Sequence, residues 1–256
     1  LEDNDAWVVG RRGQVYRALQ QDEEAINDFI QALRLEPKLT WVMQELRQME
    51  QYEPILVTLN QLLENNPEDV WALAQRGETY RFMERYAEAL EDFNNVIRLD
   101  NSVPWIFGIF GSRGRVYQAL GNDDQALKDF TEALKLNPQL GWVIDEIRDL
   151  GHYDQAISAY NIFLETEPND PRAFANRGET YRLMQLYDQA LADLNRAISL
   201  DPGYALAYLD RGLTYRDLGL YQEALSDLQK AVELGSEEAK PELDELQLFL
   251  ENHNGG

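Results

Sequence analysis

An all-α fold, a right-handed α-solenoid of about seven helical hairpins ending in a capping helix, is what the 256-residue sequence predicts. The first observation behind it is a recurring residue set. Gly13, Tyr16, Ala25, Phe29, Ala32 and Pro37 return as Gly114, Tyr117, Ala126, Phe130, Ala133 and Pro138. The second is a longer period: Trp41 with Trp142, Pro67 with Pro168, and Gly77 with Gly178 keep one common spacing, and the stretch Arg76 to Arg81 recurs letter for letter from Arg177 to Arg182. The third is helical periodicity inside each copy, where apolar residues at i, i+3/i+4 and i+7 form two stripes parted by a short turn. Internal periods of this size mean supersecondary units that stack, each unable to bury its apolar side alone.

Taken in order, the first full hairpin covers about 6–37. Its helix A, about Ala6 to Leu19, places Val9, Gly13 and Tyr16 on one face, and its helix B, about Asp22 to Leu35, answers with Ala25, Phe29 and Ala32. Pro37 stops helix B because it has no backbone N–H to donate. A shortened hairpin follows at about 38–69, with helix A over Lys38–Met49 and a helix B marked by Ile55, Leu59 and Leu62. Full hairpins come next at about 70–103 and 107–138, then a second shortened one at 139–170, with helix A over Gln139–Leu150 and helix B marked by Ala156, Tyr160 and Phe163. Full hairpins at 171–204 and 205–236 complete a single array spanning 6–252. Each shortened helix A lacks a Gly-x-x-Tyr and about one turn, a loss of roughly 6 Å, so the stack is expected to kink or tighten there. Gly121, Gly151 and Gly219 fall at turns between helices A and B, where a left-handed residue ends the first helix. The cap, about 237–252, has Pro241 in its first turn, an apolar stripe of Leu243, Leu246 and Leu250, and acidic faces bearing Glu238, Glu242, Asp244 and Glu245.

The formal charge of −23 argues against nucleic acid as a partner, since affinity for phosphates comes mainly from Lys and Arg. It favours protein or peptide partners that are basic or neutral. With no cysteine there is no disulfide, thiolate nucleophile or zinc–thiolate site. No apolar run approaches the length that spans a bilayer, so membrane insertion is not expected. The start Leu1-Glu2-Asp3-Asn4-Asp5 lacks the basic and apolar regions of a signal peptide, and a cytoplasmic protein, or a fragment of a longer chain, is expected. Two histidines, His152 and His253, and no Gly-rich phosphate loop or metal-binding spacing leave no catalytic residue, metal site or cofactor to nominate. Oligomeric state is left open.

The pattern resembles the tetratricopeptide repeat. Five full units carry the helix-A Gly, the Tyr three residues on and the Ala twelve beyond the Gly, with Phe29, Phe93, Phe130, Leu194 or Leu228 at the next landmark. The terminal Pro is kept as Pro37, Pro138 and Pro202 but is Asn101 and Ser236 in the other two. The resemblance implies a superhelix whose concave groove, lined by helix-A residues, holds a partner peptide. The positions facing that groove would be Arg17, Arg81, Gln118, Arg182 and Arg216, and three residues earlier Gln14, Glu78, Arg115, Glu179 and Leu213. Trp7, Trp71, Phe82, Asn176, Leu183 and Leu209 neighbour them. The competing reading of this column is a set of solvated i, i+3 ion pairs such as Glu78–Arg81. Family members that clamp a partner's C-terminal carboxylate use Lys and Asn where this chain has Gly10, Ala74, Gly111, Ala175 and Leu209, so that clamp is absent. The resemblance implies a scaffold that binds a peptide or helix of a partner; the alternative is a ligand-sensing, regulatory part of a larger signalling protein.

A second column is internal to the chain. Arg12, Arg76, Arg113, Arg177 and Arg211 precede the helix-A Gly in every full unit, and Asp28, Asp92, Asp129, Asp193 and Asp227 follow sixteen residues later on helix B. The shortened units have neither, carrying Val42 with Thr58 and Val143 with Ala159. Gain and loss together predict a structural Arg–Asp ladder between packed helices, with an arginine row for an anionic ligand as the other reading. Trp41 and Trp142 are expected to pack at the shortened helices, or to line a pocket at each kink.

Overall fold

A computed structural model describes residues 5–253; the four residues before Asp5 and the three after His253 lie outside it. The described residues form fifteen α-helices and no strand. In order they are α1 (Ala6–Ala18), α2 (Asp22–Leu35), α3 (Thr40–Gln48), α4 (Glu53–Asn65), α5 (Val70–Phe82), α6 (Tyr86–Leu99), α7 (Ile106–Ala119) and α8 (Asp123–Leu136). There follow α9 (Gly141–Asp149), α10 (Tyr153–Thr166), α11 (Pro171–Leu183), α12 (Tyr187–Leu200), α13 (Ala205–Asp217), α14 (Tyr221–Glu233) and α15 (Ala239–His253). This is the fold class of an α-solenoid: successive hairpins of helix A and helix B, with α15 as a last, unpaired helix. The chain divides into two compact units, one reaching Asp129 and the other beginning at Phe130.

In the first unit the hairpins α1–α2, α3–α4 and α5–α6 precede α7. Their shared core holds Phe29, Val42, Met43, Leu46, Ile55, Leu59 and Phe93, all fully buried. The full hairpins of this core close on Gly13 and Gly77. A Cβ on Gly13 would lie 2.8 Å from Phe29 Cε1, and one on Gly77 2.9 Å from Phe93 Cε1. Only a hydrogen at these positions lets the two helices cross with the ring between them. In the second unit the same crossing is made with leucine, since a Cβ on Gly178 would lie 2.8 Å from Leu194 Cγ. Helix α15 lays Leu243 and Leu246 on Leu228 and Ala231 of α14, which buries the apolar side of the last hairpin.

Helix starts and stops follow local chemistry. Asp5 accepts from the Trp7 and Val8 amides, Asp69 from Ala72, and Asp170 from Arg172 and Ala173, so each satisfies N–H groups the helix itself leaves unpaired. The shortened helices α3 and α9 have nine residues each, against thirteen in α5 and α11. Helices A end in a common turn, in which a left-handed residue lets the next N–H reach back five residues: Gln21 to Tyr16, Arg85 to Tyr80, Leu186 to Tyr181 and Leu220 to Tyr215. Glycine serves at Gly121, Gly151 and Gly219, with φ of +70°, +81° and +75°. Four turns use a residue with a Cβ instead: Gln20, Glu50, Glu84 and Gln185, at φ 57–61°. Replacing any of these four with Gly is expected to stabilise its hairpin by about 1 kcal/mol, because glycine carries no steric penalty there. Denaturant unfolding of the four single variants checks this, with Glu84→Ala as a reference that keeps the Cβ.

Candidate functional site

The ladder residues meet in pairs. Arg12 Nε and Nη2 donate to Asp28 at 2.8 and 2.9 Å, and Arg76 to Asp92 at 2.8 and 2.8 Å. Arg113–Asp129 spans 2.7 and 2.7 Å, Arg177–Asp193 2.6 and 2.8 Å, and Arg211–Asp227 2.7 and 2.8 Å. All five are two-point guanidinium–carboxylate forks across a hairpin, and each aspartate is buried. The Arg guanidiniums also lie over neighbouring rings, Arg76 over Tyr80 and Arg211 over Tyr208 and Tyr215.

A third partner was not anticipated from the sequence. The free Nη1 edge reaches an asparagine on helix B of the preceding hairpin: Arg76 to Asn60, Arg113 to Asn94, Arg177 to Asn161 and Arg211 to Asn195, at 2.6–2.9 Å. Asparagine stands only where the following hairpin has the arginine. Where the following unit is shortened the position is Ile30 or Thr131, and before the cap it is Gln229. The Arg–Asp fork therefore closes a hairpin, and the Arg–Asn bond stitches it to the one before.

In the predicted groove column several side chains reach a neighbouring helix A or the cap. Arg81 makes the expected i, i+3 pair, with Glu78 at 2.6 and 3.1 Å. Arg17 instead reaches Glu45 and Gln48 of α3, Arg182 reaches Asp217 of α13 at 3.1 Å, and Arg216 reaches Glu242 of α15. Gln14 donates to Glu45 at 2.6 Å, Glu179 accepts from Arg148 of α9 at 2.7 Å, and Asn176 donates to Asp145 at 2.8 Å. Helices A of neighbouring hairpins lie side by side, so the next element brings a carboxylate within reach. Leu209, expected beside the groove, is buried, and Leu213 packs, partly buried, against the same core. Arg115 and Gln118 lie on α7. Arg47, which the sequence did not single out, is buried between α3 and α5 and donates to Thr79 and to the Gln75 carbonyl. Burial pulls its guanidinium down to about 10, with Arg81 adding to the effect and Glu78 opposing it. In the second unit, burial pushes the Asp210 carboxyl up to about 8, and Glu179 adds to that.

With these charges engaged among themselves, what the helix-A face of the first unit leaves outward is aromatic. Trp7 is 52% exposed and Phe82 44%. Trp7 meets Trp41 edge-on at 6.5 Å, Arg11 lies over both rings, and the Trp41 indole N–H is buried without an acceptor. Two clefts adjoin here, sharing Thr40, Gln75 and Glu78. One, of ≈300 Å³, is walled by Trp71, Ala74, Trp105, Gly108 and Ile109. The other, of ≈320 Å³, is walled by Gln44, Arg47, Gln48 and Phe82. An apolar slot thus opens beside a polar one. Glu78 between them is held below the usual carboxylate range: burial works against this, but the Arg81 hydrogen bond and the Ser112 hydroxyl outweigh it. Among the described residues no group of His, Cys, Asp and Glu is arranged to hold a metal ion, and no helix is long and apolar enough to cross a membrane.

Family profiles described as tetratricopeptide repeat match residues 8–39, 72–103, 109–140, 171–204 and 205–235. No curated protein matches the chain. Among solved structures, a tetratricopeptide repeat protein from Parabacteroides merdae superposes with a TM-score of 0.56 at 21% identity, over 94% of this chain and 96% of that one. The C-terminal part of a repeat-containing protein from Cytophaga hutchinsonii gives a TM-score of 0.65 at 18% identity, over 81% and 84%. YrrB, described as a repeat protein with an unusual peptide-binding site, gives 0.52 at 23% identity, over 69% and 92%. At these identities the likeness is one of fold.

Proposed function

The chain belongs to the tetratricopeptide-repeat family, and from that premise we propose that it is a protein-interaction scaffold whose helix-A face holds a peptide or helix of a basic or neutral partner. The observation that carries this reading is the pair of adjoining clefts on the first unit. The slot between Trp71 and Trp105 has the size and lining to take one apolar side chain, and the neighbouring Gln44, Gln75 and Glu78 offer donors and acceptors to a main chain passing over them. Tryptophans in a recess with polar groups at the rim have the make-up of an interface anchor. Arg17, Arg182 and Arg216, paired with a neighbouring helix, hold the face in place rather than meet the partner first. The net charge of −23 favours a partner without excess acid.

Gly108 makes the reading testable without disturbing the fold. It lies in the first turn of α7, lines the apolar slot, and a Cβ there meets nothing within 4 Å. Gly108→Leu is expected to fill the slot and to leave stability unchanged or raise it by up to about 1 kcal/mol, since glycine is a poor helix residue. Peptides selected from a displayed random library on the native chain should carry a large apolar residue and lose at least about tenfold in affinity for Gly108→Leu, a difference of 1.4 kcal/mol. Peptides that bind both chains equally would remove the slot from the function.

A further inference from the structure

The duplicated blocks differ where α9, α10 and α11 enclose a cleft of ≈320 Å³ in the second unit. In the first block the chain supplies its own cation at this place: Lys38 Nζ pairs with Asp69 at 2.8 Å and lies 5.2 Å from the centre of the Trp71 ring. In the second block the lysine is Gln139, Thr40 has become Gly141, and Leu59 and Leu62 have become Tyr160 and Phe163. The aspartate is kept as Asp170, and a further carboxylate, Asp145, stands where the first block has Gln44. The lysine has gone and Arg172 stands where the first block has Trp71, while one further carboxylate and two rings, Tyr160 and Phe163, have joined the lining.

Asp145 is engaged through one oxygen: Arg148 Nη1 stands 3.8 Å from its Oδ1 but meets Glu179 more closely, at 2.7 Å, while Arg148 Nη2 meets Asp149 at 2.9 Å. Asp145 Oδ1 accepts from the Tyr160 hydroxyl and from Asn176 Nδ2, while Oδ2 accepts from no described residue. Tyr160 stays a donor, because burial and then the Asp145 charge push its phenol well above the ordinary value. Trp142 and Phe163 complete an aromatic wall; the lining holds Asp145, Asp170 and Arg172, and Arg148 beside Asp145 is shared among three carboxylates, Asp145, Asp149 and Glu179. Aromatic faces with a half-used carboxylate are what a lysine ammonium or arginine guanidinium requires.

We propose that this cleft is a subsite for a cationic side chain of the bound peptide, with Asp145 Oδ2 as its acceptor. The inference rests on the helix-A face being the peptide-binding surface and adds the partner's chemistry: a lysine or arginine. A monomeric probe keeps its test separate from the peptide selection. N-acetyl-arginine methylamide, titrated into the full chain, should shift the Trp142 indole N–H signal in NMR spectra, and N-acetyl-glutamine methylamide should not. Asp145→Asn keeps an acceptor for Tyr160 and Asn176 but loses the charge, and should weaken the arginine probe at least about tenfold. Gln139→Lys, which restores the first block's lysine, should abolish the response by occupying the cleft from within. Arg172→Gln should leave the probe's affinity equal or higher, and Gly108→Leu should not change it. Equal response to the glutamine probe, an unchanged affinity in Asp145→Asn, or a preference for N-acetyl-aspartate through Arg172 would each overturn the proposal.

Discussion

Asp92→Ala is expected to lower the stability of the first unit by about 3 kcal/mol, the scale seen when one partner of a buried ion pair is removed. The carboxylate is 2% exposed, and its loss leaves the Arg76 guanidinium, itself 24% exposed, between α5 and α6 with Asn60 and the Tyr80 ring as its remaining partners. The pair as a whole is worth much less than this. Burial pushes the Asp92 carboxyl up even though Arg76 pulls it down, while the Asp92 hydrogen bond raises the guanidinium. Desolvation and attraction nearly offset, so Arg76→Met with Asp92→Leu should recover most of the loss. What the double variant should lose is definition of the stack, because the Asn60 stitch goes with the arginine. Solenoids need not unfold in one step, so the measurement is amide exchange of α5 and α6 rather than a single midpoint. A loss below about 1 kcal/mol for Asp92→Ala would mean the pair behaves as a solvated one.

The second large effect concerns the helix crossing. Phe93 is fully buried, and Phe93→Ala should cost about 4 kcal/mol through lost transfer energy and the cavity left behind. Gly77→Ala in the native chain should cost about 1–3 kcal/mol, since its Cβ would sit 2.9 Å from Phe93 Cε1 and 3.2 Å from Asp92 Cβ. Combined, the two should not add. With the ring gone the new methyl occupies part of the void, so Gly77→Ala should become neutral or stabilising on the Phe93→Ala background. That reversal of sign in a double-mutant cycle, read by denaturant unfolding, is specific to a crossing set by ring against glycine. Simple additivity would show that the two helices shift apart instead.

The hairpins were legible in the sequence because each must bury the same face, so the same small and large residues recur at fixed steps. The Arg–Asp column was legible for a related reason: both residues come and go together, Arg76 with Asp92 and Val42 with Thr58. The Asn60, Asn94, Asn161 and Asn195 stitches were equally written in the sequence, but only in a comparison of each hairpin with the next. For the groove arginines the sequence offered a peptide-binding face or local i, i+3 pairs, because spacing within a helix is visible and register between helices is not. Stacking brought Glu45 to Arg17 and Asp217 to Arg182, and it sank Leu209 beneath the face it was expected to share. The turns at Gln20, Glu50, Glu84 and Gln185 went unread because the left-handed position lacks its usual glycine. Clefts are harder still. The slot beside Trp71 depends on an absence, the missing side chain of Gly108, set against Trp105 in the linker before α7.

A crystal structure of the chain with a library-selected peptide bears most directly on the assignment of the helix-A face as the binding surface. The expected result is an apolar peptide side chain between Trp71 and Trp105, with its main chain passing Gln75 and Glu78. A peptide lying along the helix-B side, with that slot empty, would contradict it.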